Sequence, residues 1–150
     1  MGYWGYGNFD GDSPRDFLAD MVYVWERIID RVLAGEMKEA AAYFGPEASR
    51  SLPAHSERGQ DAIDTIVMPT TEVMIAVAER FECDHLPSPE KVAGWASDAL
   101  RVFDVEGGAG WDGASERRRV IEETFDKLLR IVERRADESP PSESGPANPP

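Results

Sequence analysis

Between Ser13-Pro14 and Gly35 the chain places Phe17, Leu18, Met21, Val22, Trp25, Ile28, Ile29 and Val32 at helical spacing. That spacing lays the apolar side chains along one face of an α-helix about five turns long, a face that must be buried against something else. The boundaries agree with it. Ser13 suits the N-cap, Pro14 the first helical position, Asp16 the positive end of the helix, and Gly35 the C-terminal stop.

The same pattern returns along the chain. A short helix is expected over Glu36 to Phe44, closed by Gly45-Pro46, then a polar loop from Glu47 to Gly59 that contains Pro53. Ala62, Ile63, Ile66 and Val67 keep helical spacing, as do Val73, Met74, Val77, Ala78 and Phe81. Pro69 lies between the two sets, so this is either two helices or one kinked helix. Ser88-Pro89-Glu90 repeats the Ser-Pro start and opens a helix presenting Val92, Trp95, Ala96, Ala99, Leu100 and Phe103. A glycine-rich loop with Trp111 follows over Asp104 to Ala114. A last helix begins near Ser115 and presents Val120, Ile121, Phe125, Leu128, Leu129 and Val132. No stretch sustains the alternation of a strand.

The expected fold is therefore all-α: one compact array of about five or six amphipathic helices over residues 1–136. From Asp137 the sequence DESPPSESGPANPP has almost nothing to bury and reads as a disordered tail over 137–150. The opening MGYWGYGNFDGD interleaves glycine with aromatics. It reads as an irregular segment whose rings fold back on the helices as a lid.

Charge narrows the function. The chain carries 29 acidic and 16 basic side chains, a net charge of −13. Residues 1–115 hold 21 acids against 9 bases, and only 116–135 lean basic. Such a field repels nucleic acid and anionic lipid, and attracts cations and basic protein surfaces. Cys83 is the only cysteine, so no intrachain disulfide forms. The longest apolar run, Val73 to Ala78, is far short of the roughly 18–20 residues of a membrane span. With no early basic region followed by an apolar run, a cytoplasmic location is expected by elimination.

The opening residues also carry a resemblance. Gly2, Trp4, Gly5, Gly7, Phe9, Asp10 and Asp12, followed by Asp16-Phe17, fall on the Met-Gly-x-Trp-Gly-x-Gly-x-Phe-Asp start of a bacterial family catalogued as domain of unknown function 4259. The likeness covers about the first 20 residues. It implies a helical fold and bacterial kinship rather than an activity.

Several motifs touch on chemistry without completing it. Gly2, Gly5 and Gly7 match neither phosphate-loop spacing, and Asp10 and Asp12 would repel phosphate. Asn8, Asp10 and Asp12 resemble the first ligands of an EF-hand, but Ser13 stands where glycine is needed and Ala19 where the bidentate Glu belongs. Glu82-x-x-His85 is half of a di-iron motif, with no second copy: Leu52 precedes His55. Its ordinary reading is a polar helix end leading into Leu86-Pro87. Cys83 and His85, two apart on a helix, would diverge, leaving Cys83 a small semi-buried apolar residue. No Ser-His-Asp arrangement and no cofactor motif is identifiable.

Two functions remain. The favoured one is a non-catalytic domain that binds a basic protein, as immunity proteins cap toxins, with Trp111 as a possible anchor at the contact. A Trp in such a loop more often packs on its own core. The alternative is a Mg²⁺-dependent hydrolase of phosphorylated small molecules. It would use Glu122, Glu123 and Asp126, with Glu79 and Glu82 or Asp61 and Asp64 as the second acidic set. The same residues also make an ordinary solvated helix face.

Overall fold

The computed structural model describes residues 12–36, 62–107 and 111–138. The expected aromatic lid, the short helix over Glu36 to Phe44, the Glu47–Gly59 loop and the tail beyond Glu138 lie outside them, Glu36 itself excepted. The described residues form four α-helices and no strand: α1 (Asp12–Leu33), α2 (Met68–Arg80), α3 (Pro89–Val102) and α4 (Ala114–Glu138).

The helix ends follow the local chemistry. α1 starts at Asp12, one residue ahead of the expected cap, and Pro14 falls within its first turn. It stops at Gly35, whose φ of 78° is the left-handed conformation glycine adopts without penalty. The Gly35 N–H bonds to the Val32 carbonyl at 3.0 Å and the Glu36 N–H to the Arg31 carbonyl at 2.8 Å, a Schellman motif. Ser88 caps α3, its hydroxyl accepting from the Lys91 N–H at 3.2 Å, with Pro89 in the first turn. α4 runs through Asp137 and Glu138, which the sequence reading assigns to the tail. Nothing in the sequence breaks a helix before Pro140.

Pro69 neither splits nor ends its helix. A π-helical turn over Ile63–Val67 leads straight into α2, and the Met68 N–H bonds back five residues to the Ile63 carbonyl. The wider turn directly before Pro69 gives its ring room in a ladder that an α-turn would close against it. A second π-helical turn, Phe103–Gly107, extends α3 into the segment expected as loop.

Cross-links between helices give their directions. Arg15 pairs with Asp84 and the Asp30 carboxylate binds Trp95, so α1 and α3 run the same way. Asp64 pairs with Arg117 and Ala78 with Arg135, so α2 and α4 run the same way, opposite to the first two. The packed neighbours are α1 with α3, α3 with α4, α4 with α2, and α2 with α1. In chain order the helices therefore alternate in direction, while around the core the parallel pair α1 and α3 packs beside the parallel pair α2 and α4.

That core holds Val22, Ile29, Ile63, Val67, Met74, Val92, Phe103, Ile121, Phe125 and Leu128, all essentially sealed from solvent. Trp25, Phe81 and Leu100 pack against it, partly buried. The apolar faces are nevertheless rotated from their expected centres. Phe17, Val73 and Val120 are exposed, whereas Ile75, Ile131, Thr71 and Thr124 are buried. Each threonine satisfies its hydroxyl within its own helix: Thr71 bonds to the Val67 carbonyl and Thr124 to the Val120 carbonyl, both at 2.7 Å.

Candidate functional site

The most organised polar chemistry is a seam between α1, α3 and the 81–88 connector. Glu26 stands on the apolar face of α1, between Val22 and Ile29 along the helix, and is 5% exposed. A buried carboxylate is tolerated only when paired. Here it accepts from His85 Nε2, and Lys91 Nζ lies 3.5 Å from its other oxygen. One turn later Asp30 accepts from Lys91 Nζ at 3.0 Å and from Trp95 Nε1 at 2.7 Å. The Lys91 ammonium is held above its ordinary pKa, chiefly by the hydrogen bond to Asp30. The Tyr23 ring meets His85 edge-on at 5.8 Å, and Arg27 stacks 4.8 Å from the Tyr23 ring centre while donating to its hydroxyl.

Outside this seam opens a cleft of about 420 Å³, lined by Tyr23, Ala34, three carboxylates (Glu26, Asp30, Glu36) and three cations (Arg27, Arg31, Lys91). Its charges cancel, so it offers little net attraction to either sign of ligand. The two carboxylates at its back are already engaged by His85, Lys91 and Trp95. The arrangement fastens α1 to α3 through groups 59 to 65 residues apart in the chain.

The proposed hydrolytic set sits elsewhere. Glu122, Glu123 and Asp126 are all exposed on α4. Glu122 lies 3.6 Å from Arg118 and Glu123 lies 3.8 Å from Arg119, each one turn back on the same helix. Glu79 is engaged by Lys127 at 3.1 Å, Asp64 by Arg117 and Glu82 by Arg15. Among the described residues no group of three or more His, Cys, Asp or Glu side chains is placed to hold a metal ion. Glu82-Cys83-Asp84-His85 is not a helix end: α2 stops at Arg80, Phe81 is extended, and the four residues follow in irregular conformation. Cys83 is buried, its thiol donating to the His85 carbonyl at 3.0 Å, and burial raises its pKa.

Of the motif that carries the family resemblance, Gly2, Trp4, Gly5, Gly7, Phe9 and Asp10 lie outside the described residues. Asp12 opens α1, and Asp16 and Phe17 stand exposed in its first turns. Trp111 does not join the core. It is 50% exposed just ahead of α4. Its ring lies over Gly113, where a Cβ would come within 3.2 Å of it.

The remaining surface is dominated by carboxylates. Among the described residues most basic side chains are committed to ion pairs; Arg15, Arg117, Arg118, Arg119 and Lys127, for example, each hold one or two acids. Asp16, Asp20, Glu90, Glu106, Asp112 and Asp126 are exposed with no cation of the described residues within pairing distance. No helix among the described residues is long and apolar enough to cross a membrane. Comparisons with protein-family models, curated proteins and solved structures return no match to this chain.

Proposed function

We propose that this chain is a non-catalytic domain that binds a basic protein surface. One observation carries the reading: the described cations are largely spent on internal ion pairs, while a surplus of exposed carboxylates is left without partners. Unpaired surface charge of one sign steers oppositely charged macromolecules and raises their association rate. The satisfied Glu26–His85–Lys91–Asp30 seam supports a structural rather than reactive use of the most buried charges. The opening Gly2-x-Trp4-Gly5-x-Gly7 motif supports kinship with domain of unknown function 4259.

Affinity purification at low salt, followed by calorimetry of the purified partner, tests the reading. The partner should carry net positive charge. Its affinity should fall about tenfold or more between roughly 50 and 300 mM salt, as screening removes the attraction. A partner that is acidic, or whose binding ignores salt, would refute it.

A further inference from the structure

α2 is apolar on more than its inner face. Of its 13 residues only Glu72, Glu79 and Arg80 are charged. Met68, Thr71, Met74, Ile75 and Ala78 fill the inner side. Pro69, Val73 and Ala76 face outward and are exposed, Val73 by 47%, with Val77 partly buried beside them. Steps of four, three and one set these four residues in a single stripe along the helix. A helix that is apolar on both sides is ordinarily covered on both.

Charge selects the occupant. The chain carries a net −13, so two copies repel over most of their surfaces. Along this stripe the signs balance. Glu79 is held by Lys127 at 3.1 Å. Glu72 and Arg80 flank Ala76, one turn to either side, and both are exposed. Neither makes an ion pair among the described residues: Glu72 Oε1 lies 3.5 Å from the Thr124 hydroxyl, and the Arg80 guanidinium 5.5 Å from the Phe81 ring centre. A second α2, antiparallel and related by a two-fold axis at Ala76, brings Glu72 of each copy within side-chain reach of Arg80 of the other. The same operation sets Val73 about 3 Å along the axis from the second copy's Val77, and the small Ala76 at the crossing lets the helices approach closely. A partner of one sign would meet a like charge at one end of the stripe, whereas the inverted copy of the helix complements both ends.

We propose that the outer face of α2 is a self-association surface, occupied by α2 of a second copy of this chain in an antiparallel, two-fold arrangement. The contact is independent of the basic-partner reading, since it uses none of the carboxylates assigned to that partner. From Pro69 to Arg80 the stripe is roughly 16 Å long, so the interface is small and the dimer weak.

Sedimentation equilibrium of the full chain tests this, in about 0.3 M salt to screen the repulsion between copies, over about 10 µM to about 1 mM protein. Wild type should pass from the mass of one chain towards that of two. Val73→Glu and, separately, Ala76→Glu place a carboxylate in the contact and should each weaken association about tenfold or more. Arg80→Glu should weaken it by about threefold or more, and Arg80→Glu combined with Glu72→Arg, which restores opposite charges across the axis, should return it to within about twofold of wild type. Phe17→Ser, at an exposed apolar residue on α1, should leave it unchanged. Every altered position is exposed, so the melting temperature by circular dichroism should stay that of wild type. Wild type that keeps the mass of one chain throughout, or that grows past two, overturns the proposal. So does association that Val73→Glu leaves intact or Phe17→Ser abolishes, or a charge-swapped double variant no better than Arg80→Glu alone. None of these outcomes bears on binding to a basic partner.

Discussion

Glu26 offers a direct test of what holds α1 to α3. Its carboxylate is sealed, but its partners are not: the side chains of His85 and Lys91 are 39% and 40% exposed. Cutting Glu26 to alanine removes one buried methylene, about 0.8 kcal/mol, and two charge-assisted contacts. Because both partner side chains can regain water, the contacts cost less than in a fully dry site, and the total should be about 2–3 kcal/mol. Glu26→Leu keeps the apolar volume and abolishes the desolvation of a charge, so its cost should be about 0–1 kcal/mol. Removing both partners instead, with His85→Ala and Lys91→Ala, strands a charge in the interior and should cost most, about 3–5 kcal/mol. Urea denaturation at pH 7, followed by circular dichroism with the m-value unchanged, measures all three. If the leucine variant is as unstable as the alanine variant, or the double variant loses less than leucine does, the paired-carboxylate account is wrong.

Three further outcomes are expected. Phe125→Ala opens a cavity at a fully buried position where helices meet, and should lose about 3–5 kcal/mol in the same urea assay. Cys83, whose thiol pKa is raised above 9.0 by burial, holds its proton longer folded than unfolded. It thus contributes stability below the unfolded pKa that is lost as pH rises through the folded one. Alkylation by iodoacetamide at pH 8 should be slower in the native protein than in urea, and Cys83→Ala should flatten the decline of melting temperature above pH 9. Finally, Glu122→Ala, Glu123→Ala and Asp126→Ala combined should leave melting temperature nearly unchanged, since their ion pairs are solvent-exposed and worth about 0–1 kcal/mol each. Titration of wild type with Mg²⁺ should release no binding heat. A saturable heat abolished in the triple variant would restore the hydrolase reading.

The helices themselves were legible because their determinants are local. Ser88-Pro89, Gly35 and the recurrence of Val22, Ile29, Val92, Phe125 and Leu128 act within a few residues along the chain, and the structure uses them as their chemistry requires. The seam was less legible, although one signal was present: Glu26 occupies the apolar stripe between Val22 and Ile29, where a carboxylate needs a partner. Which groups would serve as that partner was not written locally, since His85 and Lys91 lie 59 and 65 residues further on.

The amino-acid order alone thus determined that the chain is helical, where the described helices start or stop to within a few residues, and that its exterior is acidic. Tertiary packing decided the rotation of each helix, because a face shared among several neighbours is centred by the best joint fit. For that reason Phe17, Val73 and Val120 went outward while Thr71 and Ile75 went in. It also decided that Trp111 would remain at the surface, since the start of α4 takes up the Trp111 carbonyl through the Ala114 N–H and leaves the ring half exposed beside Gly113 rather than in the core.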